Sequence, residues 1–223
     1  MRALGDLYWT GDPDAAVATV NRIPVSLIQE DPMVWTVYAV YYGARQTDKL
    51  LDYLQGLPRD WINAPEFNGP TALLIGNAHL QAGREDAARL EWRAALKLVE
   101  SRLAAHPTNP LLEDWKGVLL GKLEEYAEAE KCMKLAVDMN GEQIYDMGDI
   151  LALKIAEGKF DDAMDMLEQH PDLGGPAAHL RYWPVYDALR GNPRFIALLA
   201  RADADPARSP RAPKGPVTEG KRD

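Results

Sequence analysis

Four histidines, one cysteine and a scatter of carboxylates are the side chains in this sequence best suited to catalysis or metal binding. His79, His106, His170 and His179 stand far apart with no His-x3-His pair, and Cys132 has no Cys or His within a few residues. A zinc site draws three or four such ligands at short, fixed spacings, so no metal site is expected. A nucleophilic thiolate needs a neighbouring cation or base. Cys132, beside Met133 in a helical stretch, reads as a small semi-buried apolar group. The carboxylate pairs Glu124-Glu125 and Asp161-Asp162 are adjacent in sequence, so on a helix they point in different directions and serve as solvated faces or helix starts. Phosphate-binding glycine loops, kinase catalytic strings and nucleophile elbows do not occur. No catalytic residue, metal ligand or cofactor is therefore expected, and an enzyme is the last of three readings.

The elements that would position a binding surface are more legible. Residues 71–96 read as two helices about one tight turn: Ile75, Gly76, Ala78 and His79 share a face, Gly83 breaks the helix, and Ala88, Trp92 and Ala95 recur at helical spacing. Small residues at Gly76, Ala88 and Ala95 let two backbones approach, and Trp92 fills the space between them. The position of Ala88 recurs at Ala16, Leu50, Ala129 and Ala163, in steps of 34, 38, 41 and 34 residues. This pattern resembles the tetratricopeptide repeat, a 34-residue helix pair, over most of residues 1–170. The resemblance implies an all-α, right-handed solenoid with a concave binding groove.

Composition agrees with a helical chain. Apolar residues make up 47%, ordinary for a folded protein, and Leu and Ala outweigh runs of Val, Ile and Thr. The net charge is −9, and Pro206–Asp223 carries five Lys or Arg against two Asp or Glu, leaving about −12 on the preceding residues. An acidic body lacks the clustered cations that neutralise phosphates, so nucleic acid is not an expected partner. No apolar run reaches the length of a membrane span, the first residues lack the apolar core of a signal peptide, and a single cysteine forms no internal disulfide. A cytoplasmic setting is expected.

In chain order, residues 1–177 read as about five helix pairs. The first, Leu4 to Ile23, turns at Gly11-Asp12-Pro13-Asp14 and begins abruptly, so a folded segment upstream of Met1 is an open alternative. The second, Asp31 to Leu54, opens at Asp31-Pro32 and carries Trp35, Tyr38, Tyr41 and Tyr42. Residues 56–70 read as a connecting segment pinned by Trp61 and Phe67. The third pair extends to His106-Pro107. In the fourth, Leu111 to Met139, Glu124 stands where a turn glycine usually falls. The fifth, Tyr145 to Gln169, turns at Gly158-Lys159-Phe160. Residues 178–203 read as capping helices with Leu189, Phe195, Leu198 and Leu199 as the apolar edge, and 204–223 as a disordered, basic, Pro-rich tail.

By register, the tetratricopeptide resemblance implies groove residues Tyr8 and Trp9, then Trp35, Ala39 and Tyr42, then Leu73, Asn77, Leu80 and Gln81, then Asp114, Val118 and Lys122, and finally Ala152 and Ile155. Asn77 matches an asparagine that holds peptide backbone or a terminal carboxylate in some members, yet the companion cations are mostly missing, which speaks against a carboxyl-terminal peptide. A second resemblance lies in Phe67-x-Gly69-Pro70-x-Ala72-Leu73-Leu74-x-Gly76 with Val185-Tyr186-Asp187-x-Leu189-Arg190-x-Asn192-Pro193-Arg194-Phe195. These segments resemble the C-terminal repeat region of bacterial signalling proteins, namely Ser/Thr kinases, class III adenylate cyclases and winged-helix regulators. The function expected is non-catalytic binding of a peptide or partner protein in the concave groove. The alternative is a regulatory C-terminal region acting on an attached enzyme or DNA-binding domain. A homodimer through Leu4, Leu7 and Tyr8 is a further expectation.

Overall fold

The computed structural model describes residues 2–8, 11–140, 144–205 and 207. Among them the chain is mostly helical: α1 (Arg2–Tyr8), α2 (Pro13–Val20), α3 (Val25–Ile28), α4 (Asp31–Gly43), α5 (Thr47–Gln55), α6 (Thr71–Gln81), α7 (Glu85–Ala105), α8 (Pro110–Lys122), α9 (Tyr126–Asn140), α10 (Ile144–Ala156), α11 (Phe160–Gln169), α12 (Ala177–Tyr182) and α13 (Pro193–Ala204). Two 3-10 helices, Pro171–Gly174 and Pro184–Leu189, flank α12. None of these helices is long and apolar enough to cross a membrane. Residue 206 and those from 208 on, where most of the expected tail falls, lie outside the described residues.

Three helices start by one device, an Asx side chain followed by proline. Asp12 accepts from Ala15 N at 2.9 Å ahead of Pro13. Asn109 accepts from Leu111 N at 3.0 Å ahead of Pro110, and Asn192 accepts from Arg194 N at 2.8 Å ahead of Pro193. Each cap satisfies an orphan N–H while proline supplies a helical φ where no donor is needed.

Five turns share another device. Gly11, Arg45, Gly83, Glu124 and Gly158 all hold φ between 59° and 76°. They recur in the same steps as Ala16, Leu50, Ala88, Ala129 and Ala163, each of which is 0% exposed. A left-handed residue ends the first helix of each pair, and five residues later the second helix presents its buried position. Close approach follows from small residues: a Cβ on Gly76 would lie 2.3 Å from Trp92 Nε1, and one on Gly117 would lie 2.7 Å from Met133 Cγ.

The connecting segment expected at 56–70 contains an antiparallel hairpin, β1 (Trp61–Ala64) with β2 (Phe67–Pro70), pairing Trp61 with Pro70 and Ala64 with Phe67. A two-stranded hairpin is marginal alone, and this one is held by its neighbours. Trp115 Nε1 donates to Asn68 O at 2.6 Å, Trp61 Nε1 to Asn68 Oδ1 at 2.7 Å, and Phe67 stacks on Trp35 at 5.6 Å.

The C-terminal elements build an apolar core with α10 and α11, in which Leu151, Met164 and Leu167 meet Leu180, Leu189, Phe195 and Leu198. They also reach back to the start of the chain. Tyr182 Oη donates to Gly11 O at 2.9 Å, Arg45 pairs with Asp187 at 2.8 Å, and α12 packs on α1. Leu7 is fully buried and Tyr8 packs on His179 and Trp183. Of the residues expected at a dimer edge, Leu7 lies in the core of α1, α2 and α4 with Leu4 packed against it, and Tyr8 is the one that meets the C-terminal part.

Candidate functional site

Helices α4, α6, α8 and α10 each send side chains into one cavity of about 230 Å3. Trp35 and Tyr42 come from α4, Asn77 from α6, Trp115, Val118 and Lys122 from α8, and Asp149 and Ala152 from α10. The hairpin adds Phe67, and the segment after α12 adds Trp183 and Val185. Aromatic spacing explains the wall. Residues 35, 38 and 42 lie three and four apart on one helix face; Tyr42 stacks on Tyr38 at 5.0 Å and Trp35 packs on it at a tilt of 30° at 5.4 Å.

The polar groups are few. Asn77 Nδ2 donates to Tyr38 Oη at 3.2 Å, while Asn77 Oδ1 is buried with no partner among the described residues. Lys122 holds its ammonium 5.4 Å from the centroid of Trp92, a cation over a π face. Burial pulls the Lys122 amine pKa down, and the Asp149 carboxylate partly restores it. Burial pushes the Tyr42 phenol up to about 12 and raises that of Tyr38, so both stay protonated at neutral pH. They are hydrogen-bonding groups there, not bases. Lys122 also lines an adjoining cleft of about 240 Å3 with Leu80, Arg89, Trp92 and Glu124.

Of the groove residues implied by register, Trp35, Tyr42, Asn77, Val118 and Lys122 meet at the cavity, with Leu73 and Ala152. Leu80 is exposed and opens on the adjoining cleft. Gln81 is committed to structure: its Nε2 donates to Tyr42 O and its Oε1 accepts from Thr47 Oγ1, both at 2.9 Å. Tyr8 packs against His179 at 5.5 Å, and Trp9 lies outside the described residues. Ala39 is 0% exposed. Sequence reasoning missed Phe67, Trp115, Asp149 and Trp183 as wall residues. Trp183 contacts Tyr8, Trp35, Tyr38, Tyr42 and His179. Its only sequence signal was a tryptophan before proline at the end of a short helix.

Cys132 is 5% exposed, and burial raises its thiol pKa. It is suited to packing rather than to attack. Burial pulls His179 down to about 4, so its ring is neutral among Tyr8, Trp183 and Tyr186. Among the described residues no three His, Cys, Asp or Glu side chains gather to hold a metal ion. No protein-family model, curated protein or solved structure matches the chain.

Proposed function

We propose that the chain is a non-catalytic binding module, a right-handed tetratricopeptide-like stack that docks a peptide or partner protein on the surface shared by α4, α6, α8 and α10. The observation that carries this reading is the cavity wall itself. The first helix of each of the second to fifth pairs contributes to it, and the wall is aromatic and apolar with a few polar groups. Aromatic anchors of this kind dominate interface energetics, and an aromatic cavity with sparse polar groups is the usual form of a recognition site. The perturbed tyrosines favour hydrogen bonding over proton transfer, which also supports binding without turnover.

Selection of a displayed random-peptide library on the immobilised full-length chain tests this reading. Sequences with a recurring aromatic residue should be enriched. Their affinity should fall at least about tenfold, or 1.4 kcal/mol, in Val118→Glu and Ala152→Glu variants whose circular dichroism is unchanged. Failure to enrich any sequence, or equal binding to both variants, overturns it.

A further inference from the structure

We infer that the cleft where the C-terminal part closes on the turn after α4 is a site for a small phosphate dianion, free or on a monoester, held by Arg45, Arg181 and Arg190. This cleft shares no lining residue with the cavity proposed above for a peptide, so neither reading rests on the other.

Position comes first. The cleft has a volume of about 360 Å3, and its lining brings Arg45, Arg181 and Arg190 together beside Pro13 and Tyr182, with no carboxylate among the described residues. Arg45 stands at the left-handed turn after α4, Arg181 on α12 and Arg190 just after the second 3-10 helix. Arg45 is far from the other two in sequence, so only the closure of the chain assembles the three.

Charge is then counted with its partners. Asp187 Oδ1 accepts from Arg45 Nη2 and from Arg190 Nε, both at 2.8 Å, so one carboxylate oxygen serves two guanidiniums. Arg181 Nη2 donates to both oxygens of Asp203, at 2.8 and 2.7 Å. Three cations thus meet two carboxylates, which leaves one positive charge at the cleft. Of the acids beside Pro13, Asp12 is turned to Ala15 N as the cap of α2, and Asp14 is exposed and does not line the cleft. A guanidinium carries five N–H groups, and these bonds engage one nitrogen of each. The three side chains keep between 35% and 40% of their surface open, which leaves donors for a guest.

The arrangement selects among anions. A phosphate presents three terminal oxygens and nearly two negative charges, which suits three forks on separate elements. A carboxylate offers two oxygens in one plane and is satisfied by a single fork. The chain as a whole is acidic, with a net charge of −9, so a long polyanion is repelled beyond the cleft and a small one is favoured.

Calorimetric titration of the full-length protein with sodium phosphate and with glycerol 3-phosphate, at an ionic strength held constant with chloride, tests the inference. At least one should bind with a dissociation constant below about 1 mM, and succinate, a dianion of two carboxylates, at least about tenfold more weakly. Arg45→Gly keeps the turn, since Gly83 and Gly158 hold the same backbone, and should weaken phosphate binding at least about tenfold. Arg181→Gln should do the same, whereas Arg84→Gln, on an exposed pair elsewhere, should not. Saturating phosphate should also slow amide exchange in α1 and α12. If neither phosphate binds at about ten times that limit, if succinate binds as tightly, or if Arg45→Gly binds unchanged, the inference is overturned. Variants that lose stability in a protein that binds no phosphate would leave the arginines as ties of the closure alone and overturn it too. Should Arg181→Gln fail to fold, Arg45→Gly decides. Where free phosphate binds, retention on phosphatidylcholine vesicles carrying phosphatidic acid, lost in Arg45→Gly, would place the same group on a lipid, and no retention would place it on a soluble molecule.

Discussion

The Trp183 indole meets the Tyr42 ring edge-on, with centroids 5.4 Å apart and planes at 78°. This pair, with Tyr182 on Gly11 and Asp187 on Arg45, brings the late part of the folded chain onto its first helices. The ion pair is exposed and adds little. The aromatic contacts carry the junction, because such pairs contribute beyond the area they bury.

Removing Trp183 should therefore loosen the junction before the rest. Trp183→Ala is expected to lower stability in urea by about 3 kcal/mol, at the lower end for a large aromatic truncation because the ring is only half-buried. Amide exchange should rise in α1 and α4 and stay near its original rate in α8 and α9. Uniformly faster exchange would show that the contact is not a local latch.

Two glycine substitutions should have opposite signs. Gly76→Ala drives a methyl into Trp92, 2.3 Å from Nε1 and 2.4 Å from Cδ1, and should cost about 1–3 kcal/mol as the indole is displaced. Gly5→Ala meets nothing within 4 Å on a helix and should stabilise by about 0.5–1 kcal/mol through helix propensity. Thermal melts of the two variants compare packing with propensity in one protein.

At the left-handed turns the backbone alone should decide. Glu124 holds φ 69° where its counterparts Gly83 and Gly158 hold 70° and 76°. Glu124→Gly is expected to stabilise by about 0.5–1 kcal/mol, the relief of the left-handed strain reduced by loss of the exposed pair with Arg89. Gly83→Ala, with open space around its Cβ, should cost about 1–2 kcal/mol for conformation only. Denaturant midpoints at equal slope would check both.

Acid should weaken the fold through His179. Its folded pKa of about 4 lies below the ordinary 6.5, so between these values the unfolded chain binds the extra proton and the folded chain does not. Stability is therefore full above pH 6.5 and falls as pH drops toward 4, by about 3 kcal/mol for this group. His179→Phe should flatten the slope of stability against pH in that window. An unchanged slope would place the acid sensitivity elsewhere.

Much of the architecture was legible because it is local. Asp31-Pro32 marks the start of α4, although Asp31 lies inside the helix and Glu30 holds the cap position without a side-chain bond, and the recurrence of Ala16, Leu50, Ala88, Ala129 and Ala163 located five fully buried positions. The hairpin was hidden because Trp61–Ala64 is only four residues long, too short for alternation to register, and its stability comes from Trp115 and Trp35 far along the chain. Of the residues lining the cavity, the register carried by the resemblance had named Trp35, Tyr42, Asn77, Val118 and Lys122. It could not find Trp183, whose place depends on how far the whole array of helices curves. The same limit hid the commitment of Gln81 to Tyr42 and Thr47, since neither partner is near it in sequence.

The hydrogen bond from Tyr182 to Gly11 spans 171 residues, and it makes the number of helix pairs a fixed quantity. Where helix pairs stack with free ends, a pair can be duplicated or lost with only its neighbours affected. Here one more pair, or one fewer, would carry Trp183 away from Tyr42 and Tyr182 away from Gly11, breaking a contact far from the change. Inserting or removing a helix pair between residues 11 and 182 would thus first require giving that closure up.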